Sequence, residues 1–310
     1  MRWIAGSILV GAAALAVTPF LVSSYVLSVL VKMFILALFA MSYDFLLGYI
    51  GLASLGQVAF FGISAYAVAL SARAGIDSSV LQIAIGLLAA VGLALIFGPI
   101  SLRVRGVYHM MITLALAQLL WGIAYGWRSV TGGDDGLAGI KPPSFGVGPG
   151  HADIALYFFV LVMCVLGALG LYALTRSPFG KVLVGIRENE QRMGVLGYNV
   201  KWYQLVGIVV SALGTGFAGI LYAYSTGYVG VSYLSVALGA DVLLMVILGG
   251  IGTLFGPAIG AVVIVTLQTF ISHETERWIL ILGCIYIAVV FWAPKGLIGI
   301  LRPAKAKARR

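Results

Sequence analysis

Residues 177–201 read SPFGKVLVGIRENEQRMGVLGYNVK, and the rest of the chain takes its arrangement from this stretch. Lys181, Arg187, Glu188, Glu190, Arg192 and Lys201 crowd into it, and long apolar runs flank it on both sides. A polar, helix-compatible insert between membrane spans offers a surface to the aqueous phase. The chain carries no chemistry of its own to explain that surface, which points to a partner protein.

The apolar surroundings extend through the whole sequence. Of 310 residues, 62% are hydrophobic and 9% charged, against about 25% charged in a soluble domain. The composition is that of an all-α integral membrane protein. Its 41 glycines suit helices that approach closely, because small residues drive packing where lipid removes the hydrophobic incentive. Cys164 and Cys284 both lie in apolar runs and read as buried small residues, with no CxxC or histidine cluster beside them.

Apolar runs long enough to cross a bilayer, at about 20 residues each, number about ten. In the first half they are Ile4–Leu21, Val26–Leu47, Val58–Ser71, Val80–Leu102 and Val107–Trp127. The second half supplies Ile154–Leu174, Trp202–Ser225, Tyr233–Leu248, Phe255–Ile271 and Ile279–Trp292. Together they read as one transmembrane domain over residues 1–310, with the short third run a candidate broken helix.

The charges orient this map. With the N-terminus inside, one face receives Arg2, Arg103, Arg105, the 176–201 segment and the tail 295–310. The other face balances Arg73, Arg128, Lys141 and Arg277 against Asp77, Asp134, Asp135, Asp153, Glu274 and Glu276. The positive-inside rule therefore places both termini and the 176–201 segment in the cytoplasm of a multi-pass membrane protein. The net charge of +9 reflects this asymmetry and does not call for nucleic acid. The basic tail suits anionic lipid headgroups. The first twenty residues also have the outline of a cleavable signal peptide, read here as an uncleaved first span.

Three glycine-rich places interrupt the pattern. Gly48–Gln57 sets Ser54 and Gln57 among close glycines, as a broken or re-entrant segment lining a permeation path or as a tight turn between packed helices. Leu248–Gly260 contains Gly249, Gly250, Gly252, Gly256 and Gly260. The last three recur every fourth residue, which would align them on one helical face, and Pro257 would kink or begin a helix. A faint likeness between the two stretches fits interrupted segments in corresponding halves of a transporter. The external loop 127–153 carries Gly132, Gly133, Asp134 and Asp135 but lacks the spacing and terminal Glu of a calcium loop.

Asp44 and Asp241 fall inside spans, where a charge is costly and hence a functional candidate. Asp44 reads as a partner for a helix end; Asp241 is open between structure and path. So few intramembrane charges argue against an ion-coupled secondary transporter. His109, His151 and His273 are scattered, so no metal or catalytic site is expected. No phosphate-binding GxxxxGK[ST] loop is present, so ATP, if used, binds another chain.

These motifs converge on a family. Asp44-Phe-Leu-Leu-Gly-Tyr-Ile-Gly-Leu-Ala-Ser-Leu-Gly-Gln57, continuing to Tyr66, resembles the signature near the start of LivM-type permeases of branched-chain amino-acid ABC importers. Arg103–Tyr108, Thr113-Leu-Ala, Thr131–Leu137, Ser177–Lys181, Ile186–Glu190, Leu196–Asn199 and Leu244–Pro257 follow in that family's order, with Gln57 where many members carry His. The resemblance implies an ABC importer permease fold, with a short coupling helix in 176–201 that docks on a cytoplasmic ATPase through Arg187, Glu188, Asn189 and Glu190, and with Gly197 turning the chain after it. It also implies two cytoplasmic ATP-binding subunits that hold the ATP and magnesium, a LivH-type permease partner and a periplasmic substrate-binding protein. The external loop and the 226–232 region are then candidate contacts for that binding protein. Branched-chain amino acids are the implied cargo, and similar permeases move urea or aromatic acids.

Overall fold

The computed structural model describes residues 18–19, 22–143 and 152–274, with isolated positions between 280 and 297. Most of the first expected span, the tenth span and the basic tail lie outside the described residues. Each of the eight spans expected between them coincides with a helix.

Helix α1 (Ser24–Asp44) runs straight into a π-helical turn (Phe45–Ile50), and α2 (Gln57–Arg73) follows after a non-helical break. Then come α3 (Ser79–Ser101), α4 (Val107–Gly126) and the single turn α5 (Arg128–Thr131). Next are α6 (Ala152–Arg176), the short pair α7 (Pro178–Glu188) and α8 (Glu190–Val195), and α9 (Val200–Thr226). A 3-10 turn (Val231–Leu234) leads into α10 (Val236–Gly249), and α11 (Gly256–Glu274) follows. Among the described residues, five helices are long and apolar enough to cross a membrane.

At the centre α1 packs against α6, α9, α10 and α11, while α2, α3 and α9 form a second group around the same core. Glycines set how closely these helices meet. A Cβ at Gly219 of α9 would overlap the Phe61 carbonyl of α2, and one at Gly86 of α3 would sit 2.7 Å from Ile220 Cδ1. Outward, α3, α4 and α6 expose Leu88, Leu95, Met111, Leu119, Val162 and Leu166. An apolar exterior over a packed interior is what lipid as solvent requires.

The loop expected to be external, 127–153, closes on the C-terminal end of α9. Leu137–Ala138 (β1) pairs antiparallel with Tyr228–Val229 (β2), with Leu137 opposite Val229 and Ala138 opposite Tyr228. Tyr233 Oη donates to the Tyr228 carbonyl at 2.7 Å and lies 2.6 Å from Thr226 Oγ1. The two regions singled out as candidate outer contacts are thus one surface, although 144–151 of the loop lie outside the described residues.

These packing distances separate glycines by role. Gly219→Ala forces α2 and α9 apart and should lower stability by about 1–3 kcal/mol, the usual cost of overpacking. Gly92→Ala, where an added Cβ meets nothing within 4 Å, should leave the thermal midpoint of the detergent-solubilised protein unchanged or raised.

Candidate functional site

At one end of the bundle the two glycine-rich breaks come together. The first opens where α1 widens into its π turn, leaves the helix at Gly51, whose φ of +83° suits glycine, and runs to Gly56. The second lies between α10 and α11, where Gly250 and Gly252 have φ values of 112° and 79°. Gly252 is therefore outside any helix and does not share a face with Gly256 and Gly260. Only those two extend into α11, which Pro257 opens at its second position. A Cβ at Gly249 would overlap Gly256, and one at Gly260 would overlap the Met245 carbonyl, so α10 and α11 cross in backbone contact.

Asp44 joins the breaks. It is fully buried; its Oδ1 accepts from the Gly252 N–H at 2.7 Å and its Oδ2 from the Leu254 N–H at 2.9 Å. Leu254 is the only non-glycine residue with positive φ among those described, at 58°. Thr253 Oγ1 donates to the Gly250 carbonyl at 2.7 Å and accepts from the Gly256 N–H at 3.1 Å. Gly48 must lack a side chain, because a Cβ there would collide with Asp44 Oδ1 and the Gly252 backbone.

The polar segment lies against this junction. It holds two helices rather than one. Ser177 caps α7, its Oγ accepting from the Gly180 N–H at 3.3 Å, and Pro178 takes the first helical position, where a missing N–H costs nothing. Asn189 breaks the run with φ −158° and caps α8, accepting from the Arg192 N–H at 2.8 Å. Leu183 and Ile186 are buried beneath α7, while Arg187, Glu188 and Asn189 are exposed. Arg187 nevertheless reaches inward, its Nη1 donating to the Gly48 carbonyl. Glu190 pairs with Arg105 at 3.0 Å, tying α8 to the connection between α3 and α4. After α8, Gly197 turns the chain with φ +90°, and the Tyr198 N–H returns to the Met193 carbonyl at 3.2 Å.

The remaining sequence candidates lie apart from this junction. Asp241 accepts from Gln268 Nε2 at 3.2 Å, linking α10 to α11. Ser54 Oγ accepts from the Gly56 N–H at 3.2 Å inside the first break. Gln57, fully buried, accepts from Thr215 Oγ1 at 3.1 Å, while its Nε2 has no partner among the described residues. That amide borders a cavity of about 20 Å³ shared with Ser54, Ser101, His109 and Thr113, room for a single water. A cleft of about 250 Å³ opens between Gly51, Arg105 and Arg187–Glu190. Another of about 280 Å³, at the opposite end, is lined by Lys32, Asp153, Tyr222 and Thr226.

The sequence from 25 to 290 matches the family described as branched-chain amino acid transport system / permease component. The chain belongs to this family. It is 29% identical to the high-affinity branched-chain amino acid permease LivM of Escherichia coli K12, over 92% of this chain and 72% of the relative. LivH of the same organism is 25% identical over 85% of this chain and 91% of its own length. The L-arabinose ABC transporter permease AraH of Azospirillum brasilense is 25% identical over 90% and 82%. No solved structure matches the chain. The protein is a multi-pass membrane permease component, a transport subunit rather than an enzyme.

Leu254 and Arg105 escaped the reading of the sequence as site residues. Neither carries a local signal: Leu254 matters through its backbone amide, and Arg105 through a partner 85 residues away.

Asp44→Ala leaves the buried Leu254 amide and the part-buried Gly252 amide without acceptors and should cost about 1–3 kcal/mol or more, the range for one unsatisfied buried group. Asp44→Asn, which keeps one carbonyl acceptor, should cost less. Thermal unfolding of the two variants in detergent orders them.

Proposed function

We propose that the chain is the permease subunit of an ATP-driven importer for branched-chain amino acids, passing cargo from an external binding protein to the cytoplasm. The likeness to LivM along 92% of the chain carries this reading. The likeness to LivH supports a second, related permease as its membrane partner. Energy enters through two ATPase subunits, which hold ATP and magnesium. They dock on the segment containing Arg187, Glu188, Asn189, Glu190 and Gly197, on the cytoplasmic side with both termini.

The surface of that segment supports a docking role. α8 has no buried residue; Val195 at its end and Leu196 just after it are 90% and 65% exposed. Apolar side chains exposed in a polar loop that also exposes Glu188, Arg192 and Lys201 suit a docking surface with an apolar part and charged surroundings. Charges on such a surface contribute orientation and partner choice more than affinity. The paired surface of β1 and β2 at the opposite end is suited to the external binding protein. Asp44, Ser54, Gln57, Asp241, Gly249, Gly250 and Gly252 border or brace the route between the two ends.

Proteoliposomes test the assignment. Chain, partner permease, ATPases and binding protein together should accumulate labelled leucine only with ATP; uptake by this chain alone without ATP overturns the proposal. Uptake of arabinose but not leucine retains the importer and changes its cargo, in line with the likeness to AraH.

Glu188→Arg with Glu190→Arg should abolish co-purification of the ATPases while leaving the permease folded. The exposed Arg105–Glu190 pair that is lost contributes about 0–1 kcal/mol. Unchanged complex formation removes the docking role.

A further inference from the structure

We propose that Arg187 is the positioning residue through which movement of the docking segment reaches the broken membrane helices. This rests on the docking reading above and assigns Arg187 an inward task that Glu188, Asn189 and Glu190 do not share.

Two missing side chains make room for Arg187: a Cβ at Gly51 would lie 2.7 Å from Arg187 Cγ, and one at Gly252 would lie 3.3 Å from Arg187 Nη1. Its guanidinium donates to the carbonyl of Gly48. That carbonyl lies in the last turn of the π-helical segment Phe45–Ile50, and carbonyls in the last turn of a helix lack partners within it. One side chain thus touches the first break at two glycines and the second at one. Asp44 grips the second break through the Gly252 and Leu254 amides.

The two grips differ in permanence. Asp44 is sealed from solvent, whereas Arg187 is exposed in the last turn of α7, next to buried Ile186 and beside the cleft lined by Glu188, Asn189 and Glu190. The Arg187–Gly48 bond is part-buried while the Asp44–Leu254 bond is fully buried, so water competes more readily for the first, and the Arg187 contact is the one placed to open and close. The geometry of α7 supports transmission. Its start is fixed by the Ser177 cap and Pro178, and its middle by buried Leu183, which together with Ile50 packs over Gly207. A pull at Asn189 therefore falls on the last turn, where Arg187 sits. A partner that prefers one placement of α8 then shifts the population of the breaks.

The test compares Arg187→Met, which keeps the apolar stem and removes the donor, with Arg187→Lys, which keeps a donor. Each full chain is assembled with its permease and ATPase partners in lipid nanodiscs. Amide hydrogen exchange is then followed with and without magnesium ATP. In the wild type, nucleotide should change exchange in 188–197 and also in 45–56 and 249–256. In Arg187→Met, the change in 188–197 should persist, while that in the breaks should fall at least about fivefold, the lower end of ordinary coupling between sites. Arg187→Lys should respond like the wild type. A full response of the breaks in Arg187→Met overturns the proposal and leaves docking intact. No response of 188–197 in the wild type overturns docking itself, and this inference with it.

Discussion

The structure depends on one buried carboxylate and two backbone amides 208 and 210 residues further along the chain. Inside a bilayer, a backbone group outside a helix has no water to turn to and must find a partner in the protein. The turn between α10 and α11 leaves the amides of Gly252 and Leu254 outside any helix, and Asp44 accepts both. The same bonds hold Leu254 in a left-handed conformation, which for a residue with a side chain is uphill by about 1–2 kcal/mol. The two amides in turn give the buried Asp44 carboxyl its hydrogen-bond partners. Each element is unfavourable alone, and together they are self-consistent.

Close approach makes this arrangement possible. Asp44 reaches Gly252 because Gly48, one turn along, has no side chain. α10 reaches α11 because Gly249, Gly256 and Gly260 have none. In water, burying apolar surface would reward bulk at these contacts. In lipid that reward is absent, and backbone proximity with satisfied hydrogen bonds takes its place. The glycine content therefore concentrates function where helices break, while Gly92 and Gly122 face open space.

Much of this was legible in the sequence. Long apolar runs follow from composition, and eight of the expected spans have helices in register with them. The charge run at 177–201 correctly separates α6 from α9, and the glycines at 48–56 and 249–256 mark true breaks. What was not legible is long-range or conformational. Fourfold spacing of Gly252, Gly256 and Gly260 implies a shared face only if the backbone is helical, and positive φ at Gly250 and Gly252 removes that premise. The division of 177–201 into two helices turns on Asn189, whose side chain caps α8 as readily as it would continue α7. The pairing of Leu137 with Val229 involves two residues per strand, too few to show a period. The meeting of the two breaks was visible only as a faint likeness between them, because proximity across two hundred residues leaves no local trace.

The junction also explains why a polar segment belongs at this end of the bundle rather than merely beyond it. Membrane helices satisfied within themselves give an outside partner nothing to act upon. A break held by side-chain bonds does, because its conformation depends on groups that lie outside the helices. Asp44 supplies the fixed part of that dependence from within the bundle. Arg187 supplies a second part from an exposed helix that also carries Glu188 and leads into α8. The chain thus keeps its internal bond buried and sets the Arg187 bond near the solvent boundary, toward the segment where Val195 and Leu196 are exposed. Work done on that segment has a physical path inward, through one guanidinium to the Gly48 carbonyl in the π turn that follows α1.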